Sequence, residues 1–308
     1  MTGLLTLSDH IMCKKEVLGK VYDCEIAGIK AHIHFPKYPV IDETNPNIGI
    51  SNPLLPPQIG ERWKRGNEPL VWGYPMSYPA GNSCIELLAL SIDCVEEKLN
   101  ECAHKVYESV ESWEHAFIDH IKLETKQGIE RDKNIRRNSC YLELMAGKYI
   151  PDNRGTTLFI SIPNEDSFAS EENILKALAF ANSGKELLLE YQMLLSAYEA
   201  RRLNQNRRAI LDACAAMEIT LVNQINQYCQ SIGLSPEILT SKYRYLGERI
   251  ELLRKFGVSI PNDDYKTQVI DPRNAVMHNK DVYPSDETTE KLISCVEGLL
   301  CHFHDAFY

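Results

Sequence analysis

The chain has 308 residues, of which 44% are hydrophobic and 25% are charged, and its formal net charge is −10. These proportions are typical of globular proteins and argue against a largely disordered chain. No run approaches the roughly 20 apolar residues that a membrane-spanning helix needs. Because an acidic chain has no general attraction to polyanions, any contact with nucleic acid has to come from a local basic patch.

The N-terminus lacks the basic and apolar regions of a secretory signal peptide, so we expect a cytoplasmic protein with no membrane partner. The ten cysteines form no Cys-x-x-Cys pair, and several lie within apolar helical patterns, as Cys214 and Cys295 do. The sequence therefore predicts buried free thiols rather than a disulfide framework.

The first half of the chain has the pattern of a mixed α/β region with long irregular connections. Residues 29–35 alternate between apolar and polar side chains, which indicates a half-buried strand, and residues 17–25 are its expected hairpin partner. A stretch rich in Pro, Gly and Asn follows over residues 36–82. The other predicted elements here are a strand over 85–93, an amphipathic helix over 95–127 and strands over 141–146 and 157–162.

From Ser170 onward the pattern changes to helices alone. Ser170 is a favourable N-cap, acidic residues follow it, and Gly184 is expected to end this helix. We therefore expect an α+β protein, with a mixed α/β domain of unknown role, sensing or regulatory, at 1–170 and an all-α helical bundle at 171–308. The later helices are predicted over 185–203, 207–230, 237–256 and 285–307.

A short polar stretch near the C-terminus carries the main functional prediction. Asp271 and Pro272 form a favoured helix start, an N-cap followed by proline at the first position. This start would place Arg273 in the first turn, where backbone N–H groups and the helix dipole attract anions. A permanently charged guanidinium matches a phosphate group, and the imidazole of His278 can exchange a proton near neutral pH.

The spacing within this stretch predicts two faces. Asn274 and His278 are four residues apart and share a face, so the amide can orient the imidazole. Arg273 and His278 are five residues apart, which is about 140° around an ideal helix. One helix therefore does not direct both side chains at one point, unless its end is distorted or two copies of the chain face each other across a two-fold axis.

Glu218 lies within the apolar stripe of the predicted helix 207–230, between Cys214 and Leu221. A carboxylate in that position needs a partner, and Arg273 is the candidate whose guanidinium Glu218 would also fix in place. The alternative is a glutamate at the boundary of the core that pairs with any nearby basic residue.

The segment from Arg273 to His278 (Arg-Asn-Ala-Val-Met-His) resembles the signature of the HEPN superfamily. That signature is an arginine and a histidine separated by four to six residues, with a polar residue after the arginine. The stretch from Arg208 to Glu218 resembles the early helix of the family with its acidic position. The resemblance covers about residues 185–307, and the N-terminal half resembles no family that we can name.

The resemblance implies a helical bundle that forms a homodimer with facing motifs and cleaves RNA without a metal or another cofactor. A 2′-hydroxyl would attack the neighbouring phosphorus and leave a 2′,3′-cyclic phosphate, so DNA is excluded as a substrate. In this scheme His278 is the general acid or base, Arg273 stabilises the charged transition state, and Asn274 orients His278 or contacts phosphate. Many members are toxins or phage-defence proteins, so an antitoxin or a phage-derived trigger is a further expected partner.

Two alternatives to catalysis stay open. A non-catalytic HEPN-like module could use the same cleft to bind RNA, a nucleotide or a partner protein, which fits the acidic net charge. Arg273 and His278 could otherwise have a purely structural role in the bundle. The further residues expected to contact RNA are Arg207, Arg208, Asn279 and Lys280, with a solvated surface as the alternative for the arginines.

His32 and His34 form the other pair that could carry chemistry. Both imidazoles lie on the polar face of the predicted strand over 29–35. A zinc ion needs a third and a fourth ligand, and no nearby carboxylate or cysteine is evident in the sequence. No metal site is therefore predicted.

Overall fold

The protein has an α+β fold, as predicted, with an antiparallel sheet in its first part and helices in its second. The chain divides into two compact units, Met1–Lys185 and Glu186–Tyr308. The computed structural model describes residues 2–39, 53–57, 72–75, 82–94, 96–127, 167–261, 264–278 and 283–304.

Five described strands form the sheet of the first unit: β1 (Thr2–Cys13), β2 (Val21–Ile26), β3 (Ile29–His34), β4 (Gly73–Pro75) and β5 (Ser83–Ile92). Their order is β1-β5-β3-β2, every pair is antiparallel, and β4 pairs with β5. The predicted hairpin and the predicted strand over 85–93 are confirmed as β2–β3 and β5. β1 was not predicted, because an irregularity between Thr6 and Ile11 breaks its alternation. The strands predicted over 141–146 and 157–162 lie outside the described residues.

Two α-helices, α1 (Leu99–Thr125) and α2 (Glu171–Asn182), and two short 3-10 helices (Lys15–Val17 and Glu96–Lys98) complete the described part of the first unit. Ser170 caps α2 through a capping box, as expected, and Gly184 follows its end with a φ of +62°. The first compact unit extends to Lys185 and includes α2, whereas we placed the domain boundary after residue 170. The apolar face of α2 joins the core of the sheet, and Asn182 Oδ1 accepts a hydrogen bond from the backbone N–H of Glu25 at 2.9 Å.

The second unit is helical throughout its described elements. They are α3 (Leu189–Arg202), α4 (Asn206–Ser231), α5 (Pro236–Lys242), α6 (Leu246–Lys255), a π-helical turn (Lys266–Ile270), α7 (Asp271–Met277) and α8 (Asp286–Phe303). α4 is the central helix, because it contacts α3, α5, α6, α7 and α8. The single helix predicted over 237–256 is interrupted at Tyr243–Tyr245 and forms α5 and α6.

The cysteines largely follow the prediction of free thiols. Five of the seven free cysteines in the described residues are buried, but Cys94 and Cys102 are joined by a disulfide, which the sequence did not predict. Among the described helices, none combines the length and the apolar composition needed to cross a membrane.

Candidate functional site

α7 begins at Asp271, within one residue of the predicted start, but Asp271 is not its N-cap. The π turn Lys266–Ile270 runs directly into α7, and Ile270 already has helical φ and ψ angles of −69° and −46°. The Asp271 N–H donates to the carbonyl of Lys266, and its carboxylate accepts a hydrogen bond from Lys266 Nζ at 3.0 Å. Arg273 therefore lies within a continuous helical segment, rather than at a helix start that would attract an anion.

Pro272 provides a physical reason for the wide turn before α7. In a regular α-helix a proline clashes with the carbonyl four residues earlier, and it donates no N–H. That carbonyl belongs to Gln268, which lies in the π turn, and the wider backbone there relieves the clash. The Asp-Pro pair therefore marks a widened turn inside a helical segment, although it is also typical of a helix start.

Buried side chains fix the orientation of α7. Val269 in the π turn and Val276 in α7 are completely buried. At the start of α6, Gly247 approaches the π turn so closely that a Cβ there would lie 3.2 Å from Ile270 Cδ1. Because these contacts hold the π turn and α7 against the bundle, the side chain of Arg273 reaches α4.

Arg273 and Glu218 form the ion pair that the sequence suggested. Arg273 Nη2 donates to Glu218 Oε1 at 2.8 Å, and the two side chains are 28% and 33% exposed. Glu218 is thus a boundary residue rather than a buried one. A guanidinium carries five N–H groups, so donors beyond the one used by Glu218 remain for a ligand.

Cys214 lies close to this ion pair, one turn before Glu218 on α4. Burial raises the pKa of the Cys214 thiol to about 12, while the charges of Arg273 and Glu218 act on it in opposite directions. The thiol therefore stays protonated at neutral pH and does not serve as a nucleophile.

His278 ends α7 and is exposed, as is Asn274. The backbone N–H of His278 donates to the carbonyl of Asn274 at 3.0 Å, which closes the last turn. The expected hydrogen bond between the Asn274 amide and the imidazole does not form, and within the described chain neither side chain bonds to another residue. The imidazole is accordingly accessible to a ligand.

Arg273 and His278 lie on different sides of α7. Arg273 is three residues from the buried Val276 and contacts α4, whereas His278 faces solvent with Asn274. Together with the spacing of about 140° on an ideal helix, this favours a phosphate that is contacted by two copies of the chain.

The remaining residues expected to contact RNA differ in exposure and in ion pairing. Arg208 is exposed, but its Nε lies 3.4 Å from Asp212 Oδ2, so its charge is partly compensated. Arg207 is half-buried and makes no ion pair with another described residue. Asn279 and Lys280 lie outside the described residues.

The surroundings of His32 contradict the expectation that no carboxylate is near. His32 Nδ1 lies 2.8 Å from Asp23 Oδ1 on β2, and His32 Nε2 lies 3.1 Å from Asp93 Oδ2, just after β5. Hydrogen bonds to Asp23 and Asp93 raise the pKa of His32. Next to it, His34 Nε2 is 2.7 Å from Ser91 Oγ. The described residues contain no group of three or more His, Cys, Asp or Glu side chains that could hold a metal ion.

Glu190 is a buried carboxylate that the sequence did not reveal. Only 3% of it is exposed, and its Oε1 lies 3.0 Å from His304 Nε2 and accepts a hydrogen bond from Asn223 Nδ2 at 3.3 Å. These partners join α3 to α4 and to the residue after α8. Its place in the first turn of a helix is typical of a surface glutamate, so no signal in the sequence indicated its burial.

Comparison with known proteins identifies no relative of this chain. No family model, no curated protein and no solved structure matches it. Any functional conclusion therefore depends on the chain's own residues, and above all on the Arg273–Glu218 pair and the accessible His278.

Proposed function

We propose that the second unit is a metal-independent endoribonuclease of HEPN type that acts as a homodimer. One observation supports this most directly. The guanidinium of Arg273 is held at 2.8 Å by a carboxylate from another helix, five residues before an exposed imidazole that makes no side-chain hydrogen bond with another described residue. A fixed cation can stabilise negative charge on a phosphate, and an accessible imidazole can carry a proton, and both contributions accelerate RNA cleavage without a metal.

The proposed reaction is an attack of the 2′-oxygen on the neighbouring phosphorus. A new bond forms between the 2′-oxygen and phosphorus, and the bond between phosphorus and the 5′-oxygen breaks. His278 takes the proton from the 2′-hydroxyl or gives one to the leaving 5′-oxygen, and solvent water carries out the other proton transfer. The role of His278 is worth about 10²–10⁴ in rate. Arg273 stabilises the additional negative charge on phosphorus with donors that Glu218 does not occupy, and Asn274 contacts the phosphate.

A dimer supplies both groups to one phosphate. Because Arg273 and His278 lie on different sides of α7, the proposal pairs Arg273 of one copy with His278 of the other across a two-fold axis. The first unit would sense a signal or restrain this site in the cytoplasm, with an antitoxin or a phage-derived trigger as the further partner in a toxin or defence role.

The alternative function is a module that binds RNA, a nucleotide or a partner protein without cutting. The net charge of −10 and the compensation of Arg208 by Asp212 favour it, because both reduce the attraction to RNA. It predicts binding at the same site with no cyclic-phosphate product.

Cleavage without divalent metal tests the proposal. Wild type and the Arg273→Ala/His278→Ala variant, purified identically, are incubated with end-labelled single-stranded RNA in EDTA. We expect fragments with 2′,3′-cyclic phosphate ends from wild type only, and none from DNA of the same sequence. Equal cleavage by the double variant, or loss of cleavage on chelation, contradicts the mechanism. Binding without fragments favours the alternative.

A further inference from the structure

Tyr283, which the proposed mechanism does not use, lies two residues before Ser285, the N-cap of α8. Its side chain is 90% exposed, a larger fraction than that of any other described large hydrophobic side chain. An aromatic ring costs free energy when it faces water, and ring faces of this kind stack on nucleic-acid bases.

The backbone beside Tyr283 is fixed to α4. Asn206 Nδ2, on the first residue of α4, donates to the carbonyl of Pro284 at 2.9 Å and to Asp286 Oδ1 at 2.7 Å. Ser285 then caps α8 by accepting a hydrogen bond from the Thr288 N–H. Tyr283 is therefore anchored at one defined place, at the N-terminal end of α4.

Arg207 lies at the same end of α4, directly after Asn206. It makes no ion pair with another described residue, whereas Arg208 faces Asp212. The acidic side chains nearby, Asp286 and Glu290, both bind Arg201, at 3.2 and 2.7 Å, so their charges are partly neutralised. Arg207 can therefore offer a positive charge to a phosphate at this end of α4.

The separation of Arg207 from the proposed cleavage site suits a single strand. Glu218, which holds Arg273, is eleven residues after Arg207 on α4. At 1.5 Å and 100° per residue, the two positions are about 16 Å apart along the helix and only about 20° apart around it. A few nucleotides of single-stranded RNA bridge this distance, and occluded sites of at least about four nucleotides are usual for single-strand binding.

We propose that Tyr283 and Arg207 form a nucleotide subsite a few nucleotides away from the scissile phosphate. Tyr283 stacks on a base, and Arg207 binds a phosphate of the same strand. Since any base can stack, the subsite selects single-stranded RNA of sufficient length rather than a sequence. The inference rests on the proposed function for the position of the scissile phosphate, but the subsite itself binds RNA without cleavage.

Binding is measured on full-length protein by fluorescence anisotropy, with the His278→Ala variant as the parent so that RNA stays intact. The probes are fluorescein-labelled single-stranded RNAs of two and eight nucleotides. We expect Tyr283→Ala to weaken octamer binding roughly tenfold at an unchanged salt slope, because it removes one base stack. Tyr283→Phe keeps the affinity, and dinucleotide binding stays unchanged. Tyr107→Ala, at an 80% exposed tyrosine of the first unit, is the matched control.

Arg207 gives a different signature in the same assay. Arg207→Gln is expected to reduce the slope of log affinity against log salt by about 0.7, the value for one phosphate contact on a single strand. Arg208→Gln changes the slope less, because Asp212 already compensates its charge. The subsite is wrong if Tyr283→Ala binds the octamer as tightly as its parent, if Tyr283→Phe binds as weakly as the alanine variant, or if no octamer binds. If wild type cleaves RNA and Tyr283→Ala does not weaken octamer binding, the subsite is wrong and the proposed ribonuclease stands. If octamer binding depends on Tyr283 but wild type cleaves no RNA, the subsite stands and the proposed ribonuclease is wrong.

Discussion

The sheet of the first unit and helix α7 of the second unit hold their histidines in opposite environments. On β3, both ring nitrogens of His32 face carboxylates, those of Asp23 and Asp93. At the end of α7, the imidazole of His278 is exposed and bonds to no other described side chain. A ring with two occupied nitrogens is fixed in place, whereas a ring with accessible nitrogens can exchange a proton with a substrate. The surroundings of a histidine, rather than its presence in the sequence, therefore decide which role it can fill.

The largest expected effect is a loss of RNA cleavage when His278 is replaced, with no loss when His32 is replaced. His278→Ala is expected to lower kcat for RNA cleavage by roughly 10²–10⁴, because it removes the proposed acid or base. His32→Ala is the matched control and should cleave at the wild-type rate. Initial rates on a labelled RNA, with melting temperatures for both variants, measure this difference. Equal losses of kcat in the two variants would contradict a catalytic role of His278 that His32 does not share.

Variants of Arg273 and Glu218 test whether their ion pair positions the guanidinium for catalysis. Arg273→Ala is expected to lower kcat by about 10², since one preorganised donor to the transition state is lost. Glu218→Ala should cost less, and Glu218→Gln should recover part of the rate because its amide oxygen can still accept from Arg273. Arg273→Lys should not restore activity, because an ammonium lacks the planar fork of donors.

A structural role for the same pair would give a different pattern. A half-exposed ion pair contributes about 0.2–1 kcal/mol, so the free energy of unfolding should change little in these variants. Urea titration measures that change. A large loss of stability with unchanged kcat in the folded protein would assign Arg273 to the bundle rather than to catalysis.

His120 adds a third environment to the comparison, a buried neutral imidazole. It is completely buried in α1 and stacks on Phe180 with ring centroids 5.2 Å apart. Burial lowers its pKa from the usual 6.5, although Glu124 opposes this. The unfolded chain therefore binds the additional proton first, and this residue makes the fold less stable as the pH falls below 6.5. His120→Phe should reduce the loss of unfolding free energy between pH 7.5 and pH 5 in urea titrations.

The smallest expected effect is that of the His32 ion pairs. Because the folded-state pKa of His32 is raised, its contribution to stability is fully present below the unfolded value of 6.5 and is lost as the pH rises through the folded value. Wild type should exceed His32→Gln in unfolding free energy by about 0.2–1 kcal/mol at pH 5.5 and by nothing at pH 9. His32 and His120 are expected to change the stability in opposite directions as the pH falls, so each variant is a control for the other. If the difference in unfolding free energy between wild type and His32→Gln grows as the pH rises, the ion pairs of His32 do not stabilise the fold.

Local patterns in the sequence were sufficient for the elements whose side chains alternate regularly. The β2–β3 hairpin, α1, α3, α4 and α8 all have a continuous two-residue or three-to-four-residue period, and each was predicted. The stripe of α4 also indicated Glu218 as a carboxylate in need of a partner, and Arg273 is that partner. Where a period is interrupted, as in β1, or where one dipeptide suits two structures, as at Asp271 and Pro272, the local pattern was insufficient.

The sequence by itself determined the α+β class, the helical second half and Glu218 as a carboxylate in need of a partner, because each depends on residue type and short spacing. Only the tertiary structure decided that α2 completes the core of the first unit and that two aspartates enclose His32. It also decided that a π turn leads into α7. These features depend on strand register and on helix packing between residues far apart in the chain, which no local pattern encodes.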